Sequence, residues 1–218
     1  LASLHDSGDL KQMGQIYQLT NKWVVIVQIP VFLIMMLYPE QILSIFGESF
    51  SNGDGVLALR IMAVASLLRV GTGMGGIIID MTGQAKIKLA NSILRLVTYI
   101  GLNILLIPRW GLLGAATSIL IGEGFINLLR MIQVLYLYKL IPYNRSFIKP
   151  IAATLLAVLS FFVVSRWMPP QENLLNTFVT AIVMLAVYGA MLLLFGFSKE
   201  EQAMFTNIRK QAVKKIRR

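Results

Sequence analysis

Six stretches of this chain are long and apolar: residues 23–44, 55–80, 87–107, 112–139, 148–168 and 174–196. An α-helix of about 20 apolar residues matches the hydrocarbon thickness of a bilayer. Inside lipid the backbone must satisfy its own polar groups, which leaves helices and closed barrels as the spanning structures. These runs lack the alternation of barrel strands. The sequence therefore predicts an all-α polytopic membrane protein, a six-helix transmembrane bundle. Composition agrees. Of 218 residues, 56% are hydrophobic and 14% charged, whereas a soluble domain is about half apolar and a quarter charged.

Turn-forming residues separate the runs: FGESFSNGDG, TGQAK, PRWG, PYNRS and PPQEN. Three parts follow. Residues 1–22 form a cytoplasmic amphipathic segment, with SGDLKQMGQIYQL lying at the membrane surface. Residues 23–196 form the bundle, and residues 197–218 form a basic cytoplasmic tail. The opening LASLHDSGDL carries neither an initiator Met nor a basic, cleavable leader, so it reads as a piece whose beginning is missing.

Charge sets the orientation. Lys86 and Lys88 lie in one loop, Lys139, Arg145 and Lys149 in another, and seven basic residues follow Phe197. The alternate loops hold Glu48 and Asp54, then Arg109 alone, then Glu172 with Arg166 at the span end. Basic loops stay in the cytoplasm, which places both ends there and the chain in the cytoplasmic (inner) membrane. The net charge of +10 is spread over these loops and the tail rather than gathered on one soluble face, which argues against nucleic acid as a partner. Membrane lipid is the expected surroundings, and the tail suits anionic headgroups.

Some chemistry is excluded. Without cysteine there is no disulfide, thiol nucleophile or thiolate metal site. His5 is the single histidine, so no Ser/His/Asp set can form, and no His/Asp/Glu cluster has metal-ligand spacing. Neither a cofactor nor a catalytic residue is expected.

The informative residues are charges within the runs. In KLANSILRLVTYI, Lys88, Ser92, Arg95 and Tyr99 share one helical stripe, with Asn91 and Thr98 at its edge. Arg69, Gly73, Gly76 and Asp80 form a second stripe, and Glu123, Asn127 and Arg130 a third. A charge at the bilayer centre costs about 2.5–3.5 kcal/mol or more unless it faces a cavity or a partner. Three such stripes predict a shared, water-accessible cavity, with Arg69, Arg95 and Glu123 deeper and Asp80, Lys88 and Arg130 nearer the cytoplasmic mouth. The bland alternative is an ion pair, Arg95 or Arg69 with Glu123, that merely fixes packing. Arginine outnumbers acid at depth, so the cavity favours an anion, and the guanidinium fork suits phosphate.

Other signals are weaker. Gly71–Gly76, GTGMGG, matches a dinucleotide-binding spacing but lies inside an apolar run, where close packing or helix breakage is the better reading. Pro30 should kink its span, statically or as a hinge. Arg60 falls on the opposite face from Arg69 and should snorkel to the interface. Asn144-Arg145-Ser146 has the form of a glycosylation acceptor but sits in a loop placed in the cytoplasm.

Phe46-Gly-Glu-Ser-Phe50 and LNILLIPRWGLLGAATSI, together with SLHDSGDLKQMGQIYQLTNKW upstream, resemble the C-terminal half of the polysaccharide-biosynthesis flippases. These belong to the multidrug/oligosaccharidyl-lipid/polysaccharide exporter superfamily. The resemblance covers about residues 1–140, and its most specific element is Ile107–Ala116. It implies one lobe of a two-lobed, MATE-like transporter, with an N-terminal lobe of the same protein as partner. It also implies a lipid-linked oligosaccharide as substrate, carried for O-antigen, capsule or exopolysaccharide assembly. Two rivals stand beside this expectation. A cation-coupled multidrug exporter should have an acidic cavity, and Glu123 is the single deep acid here. A membrane polysaccharide polymerase needs a sizeable outer loop, and these loops are short.

Overall fold

The computed structural model describes residues 10–47, 50–51, 53–73, 75–169 and 174–195. Among them every regular element is helical. In chain order these are α1 (Leu10–Leu37), α2 (Pro39–Ser44), α3 (Asp54–Gly71), α4 (Gly75–Met81), α5 (Ala85–Tyr138), α6 (Ile148–Ser165) and α7 (Leu174–Leu194). A single 3-10 turn, Arg145–Phe147, precedes α6. His5 and the basic tail lie outside the described residues.

The first helix runs across the expected boundary between a surface segment and a span. No breaker stands at the expected boundary near residue 22, and Leu10–Leu37 form one helix that continues through Pro30. Tyr38 leaves helical geometry, and Pro39 restarts the chain as α2 from the N-terminal position where a missing N–H costs least. Arg60 of α3 donates from Nε to the carbonyl of Met36 at 3.3 Å, which ties α3 to the end of α1.

The run expected to span residues 55–80 is broken. α3 ends at Gly71 and α4 begins at Gly75, with a bend of 45° between their axes. Gly73 has φ +89, a conformation that glycine adopts at little cost. A methyl group there would meet Tyr17 Oη at 2.6 Å and Pro142 Cβ at 2.7 Å. The break is therefore packed against α1 and the loop after α5. Its freed carbonyls are used: Tyr143 Oη donates to the Gly71 carbonyl. Across the same junction, Gln18 and Asn21 of α1 donate to the carbonyls of Ile141 at 3.1 Å and Pro142 at 3.3 Å.

Helix α5 is one helical run that doubles back. A straight helix of its 54 residues would be about 81 Å long at 1.5 Å per residue, far beyond a bilayer core. Gly111 instead takes φ 52 and ψ −124, three residues after Pro108. Asn91 bonds Gln133, Arg95 bonds Glu123, and a methyl group on Gly114 would meet the Leu106 carbonyl oxygen at 2.2 Å. Partners that converge on Gly111 in this way are two antiparallel arms, 85–110 and 112–138. They correspond to the expected spans 87–107 and 112–139.

By length and composition, four helices could cross a membrane, or five if α3 and α4 make one bent crossing. The six separate spans expected from the sequence are not shown, α5 being one helical run whose two arms lie side by side. Two apolar clusters hold the bundle. Ile29, Leu33, Ala153, Phe161 and Met184 join α1, α6 and α7. Met13, Tyr17, Ile78, Val134 and Leu140 join α1, α4, the second arm of α5 and the loop after it. Large apolar side chains such as Val27, Ile104 and Leu194 are exposed outward, as expected of helices solvated by lipid rather than water.

Candidate functional site

One of the three polar stripes, and part of each of the other two, meet at one cavity of about 360 Å³ between α3, α4 and the arms of α5. The whole second stripe, Arg69, Gly73, Gly76 and Asp80, lines it. Lys88 and Ser92 come from the first arm of α5, and Asn127 and Arg130 from the second. The helix break makes this possible. Arg69 is in the last turn of α3 and Asp80 is in α4, so the bend carries one stripe around two sides of the space.

The cations differ in how they are held. Lys88 Nζ lies 3.2 Å from Asp80 Oδ2, both side chains being about half exposed. Such a pair is solvent-screened and contributes at most about 1 kcal/mol. Among the described residues neither Arg69 nor Arg130 forms an ion pair. Arg130 is seated by glycine: a methyl group on Gly76 would come within 3.4 Å of its Nη1, and one on Gly75 within 3.2 Å of its carbonyl oxygen. Bare glycine on α4 thus brings the Arg130 guanidinium close to the helix surface and into the cavity.

Arg95 and Glu123, placed by sequence with the cavity charges, are not among its lining residues. They form a pair between the arms, Arg95 Nη2 donating to Glu123 Oε1 at 3.1 Å. Tyr99 Oη donates to the same oxygen at 2.8 Å. Asn127 Nδ2 donates to Glu123 Oε2 at 2.7 Å and to the Glu123 backbone carbonyl at 2.8 Å. The Glu123 side chain, only 10% exposed, therefore has both oxygens engaged. The packing role weighed for Arg95 is the arrangement found. Asn127 is the one residue that belongs both to this network and to the cavity wall. Nearby, Asn91 and Gln133 exchange two amide hydrogen bonds of 2.7 and 2.9 Å, which locks the arms in register beside the cavity.

The geometry can concentrate negative charge. It offers two arginines without carboxylate partners among the described residues, a lysine held by a screened pair, and amide and hydroxyl groups between them. No group of three His, Cys, Asp or Glu residues among the described residues could hold a metal. The Asn144 side chain caps the turn before α6, accepting from the Ser146 N–H at 3.0 Å. Sequence reasoning missed Asn21 and Lys22, both buried in α1. Their signal was present as a polar pair, Asn21-Lys22, at the start of an apolar run. Comparison with protein-family models, curated proteins and solved structures finds no match.

Proposed function

We propose that this chain is one lobe of a flippase that moves a polyprenyl-diphosphate-linked oligosaccharide across the cytoplasmic membrane by alternating access. The observation that carries the proposal is the pairing of Arg69 and Arg130 on one 360 Å³ cavity, with no carboxylate bound to either among the described residues. Uncompensated arginine is costly in an apolar bundle. An anionic ligand offsets that cost, and a diphosphate matches the planar forks of two guanidinium groups. The resemblance of Phe46–Phe50 and Leu102–Ile119 to the flippases points the same way.

In this reading the chain crosses the membrane six times, the bent pair α3–α4 as one crossing and each arm of α5 as another. Both ends are cytoplasmic. The turn at Gly111 and the α6–α7 connection then share the outer face, and exposed Trp110 and Trp167 stand there at interfacial depth. The polar headgroup and sugars travel through the hydrated cavity between this lobe and an N-terminal partner lobe, while the polyprenyl tail stays in lipid. The break at residues 71–75 is where α3 and α4 can change their angle.

The test is a flipping assay on the full-length protein reconstituted in liposomes with a fluorescent lipid-linked sugar. Replacing Arg69 and Arg130 together with Gln should slow flipping by tenfold or more at unchanged expression. Unimpaired flipping contradicts the proposal. The cation-coupled exporter is disfavoured by the engagement of Glu123, whose side-chain oxygens already accept from three donors.

A further inference from the structure

Asn127 is the point where orientation and chemistry can both be read. Its Nδ2 donates to Glu123 Oε2 and to the Glu123 carbonyl. Both acceptors sit on the same side of the amide. Turning the amide over would set its oxygen against a carboxylate oxygen and a carbonyl oxygen, two repulsive contacts in place of two bonds. The orientation is thus dictated by chemistry. Glu123 is itself fixed by Arg95 and Tyr99. What remains is Asn127 Oδ1, which no donor reaches among the described residues and which belongs to a side chain lining the cavity. Ser92 adds a second acceptor on the opposite arm, because its hydroxyl proton is committed to the Lys88 carbonyl at 2.9 Å.

The cavity therefore has two kinds of wall. Arg69, Lys88 and Arg130 offer donors and positive charge. Asn127 Oδ1 and Ser92 Oγ offer acceptors only, beside the Asp80 carboxylate, which Lys88 partly neutralises. A bare anion satisfies the first wall and leaves the second unmatched. An anion that carries hydroxyl or amide N–H donors a few ångströms from its charge satisfies both.

We infer that Asn127 is a specificity-determining residue, held by Glu123 as a fixed acceptor, and that it makes the cavity select phosphate esters of hydroxyl-rich groups over simple phosphates. This rests on the anion-binding reading of the cavity given above. Glu123, Arg95 and Tyr99 are positioning residues that never touch the ligand. A site built to bond a hydroxyl rejects the analogue that lacks it, since its own buried group is then left unpaired.

The experiment compares two phosphate monoesters, methyl phosphate and glucose 1-phosphate, by calorimetric titration of the full-length protein in detergent. The unaltered protein should bind glucose 1-phosphate about fivefold or more tightly, the effect of a matched neutral hydrogen bond. Asn127→Leu should lower glucose 1-phosphate affinity to that of methyl phosphate, with a retained cooperative thermal melt showing that the variant is folded. Asn127→Ala serves the same purpose should the leucine disturb packing. Equal binding of both esters to the unaltered protein, or a preference that survives both variants, overturns the role of Asn127 and leaves the anion site standing. Absence of binding for both esters, or methyl phosphate binding unaffected by Arg69→Gln with Arg130→Gln, overturns the anion site and this inference with it.

Discussion

At the scale of single residues, the third-stripe acid is the most constrained group in the bundle. Glu123 is nearly enclosed and accepts from Arg95, Tyr99 and Asn127. Replacing it with Leu removes three interhelical or local bonds and leaves three donors without their acceptor. Interhelical hydrogen bonds in membrane proteins are worth about 0.6 kcal/mol each on average, with larger values where the partner is charged. Glu123→Leu should therefore cost about 2 kcal/mol or more, read as a fall of several degrees in the melting temperature of the detergent-solubilised protein. Arg95→Gln should cost at least as much, because it leaves the Glu123 carboxylate, only 10% exposed, without its cation, whereas Glu123→Leu leaves a 46% exposed Arg95 that water can hydrate. A loss from Arg95→Gln much smaller than that from Glu123→Leu would contradict this ranking. The stripes themselves were legible, since i, i+3 and i+4 spacing alone puts Arg69 with Asp80 and Asn127 with Arg130. Which arginine would be paired was not. That depends on the register between the two arms of α5, which brings Arg95 rather than Arg69 to Glu123.

At the scale of elements, two glycines define the architecture by conformation and by contact. Gly73 combines positive φ with neighbours at 2.6 and 2.7 Å. Gly73→Ala should destabilise the protein by about 1–3 kcal/mol, the usual cost of a non-glycine residue in such a conformation. Gly71→Ala, two residues away and with open space around it, should be neutral or slightly stabilising. Thermal melts of the two variants check the contrast. The α5 hairpin gives a parallel case. A methyl group on Gly114 would lie 2.2 Å from the Leu106 carbonyl oxygen, whereas Gly101 has nothing within 4 Å. Gly114→Ala should lower the yield of folded, monodisperse protein several-fold, and Gly101→Ala should not. The glycine signals GTGMGG and PRWG were readable as interruptions because no other residue relieves the backbone so cheaply. The continuity of α1 was not readable in the same way. Thr20, Asn21, Lys22 and Trp23 look like an interface between water and lipid, yet nothing among them ends a helix, and burial of Asn21 and Lys22 against neighbouring elements carries the helix through.

At the scale of the molecule, several helices are long and apolar enough to span a membrane, and polar stripes from α3, α4 and both arms of α5 face one space. Membrane character was legible from run length alone. Assembly of the stripes depended on the bend at residues 71–75 and on the hairpin at Gly111, neither of which spacing within a single run can place. The central claim is that this space holds water and anions while the outer helix faces are in lipid. Because the chain has no cysteine, a single introduced thiol reports on its own surroundings. The most direct measurement places one cysteine at Ser92, on the cavity wall, and in a second protein one at Val97, exposed on the apolar exterior of the same arm. Each is labelled in membrane vesicles with a water-soluble thiol reagent, with and without inorganic diphosphate. The account predicts that Ser92→Cys labels at least tenfold faster than Val97→Cys, and that diphosphate slows it. Equal, slow labelling of both positions, or labelling at Ser92→Cys that diphosphate leaves unchanged, would contradict it.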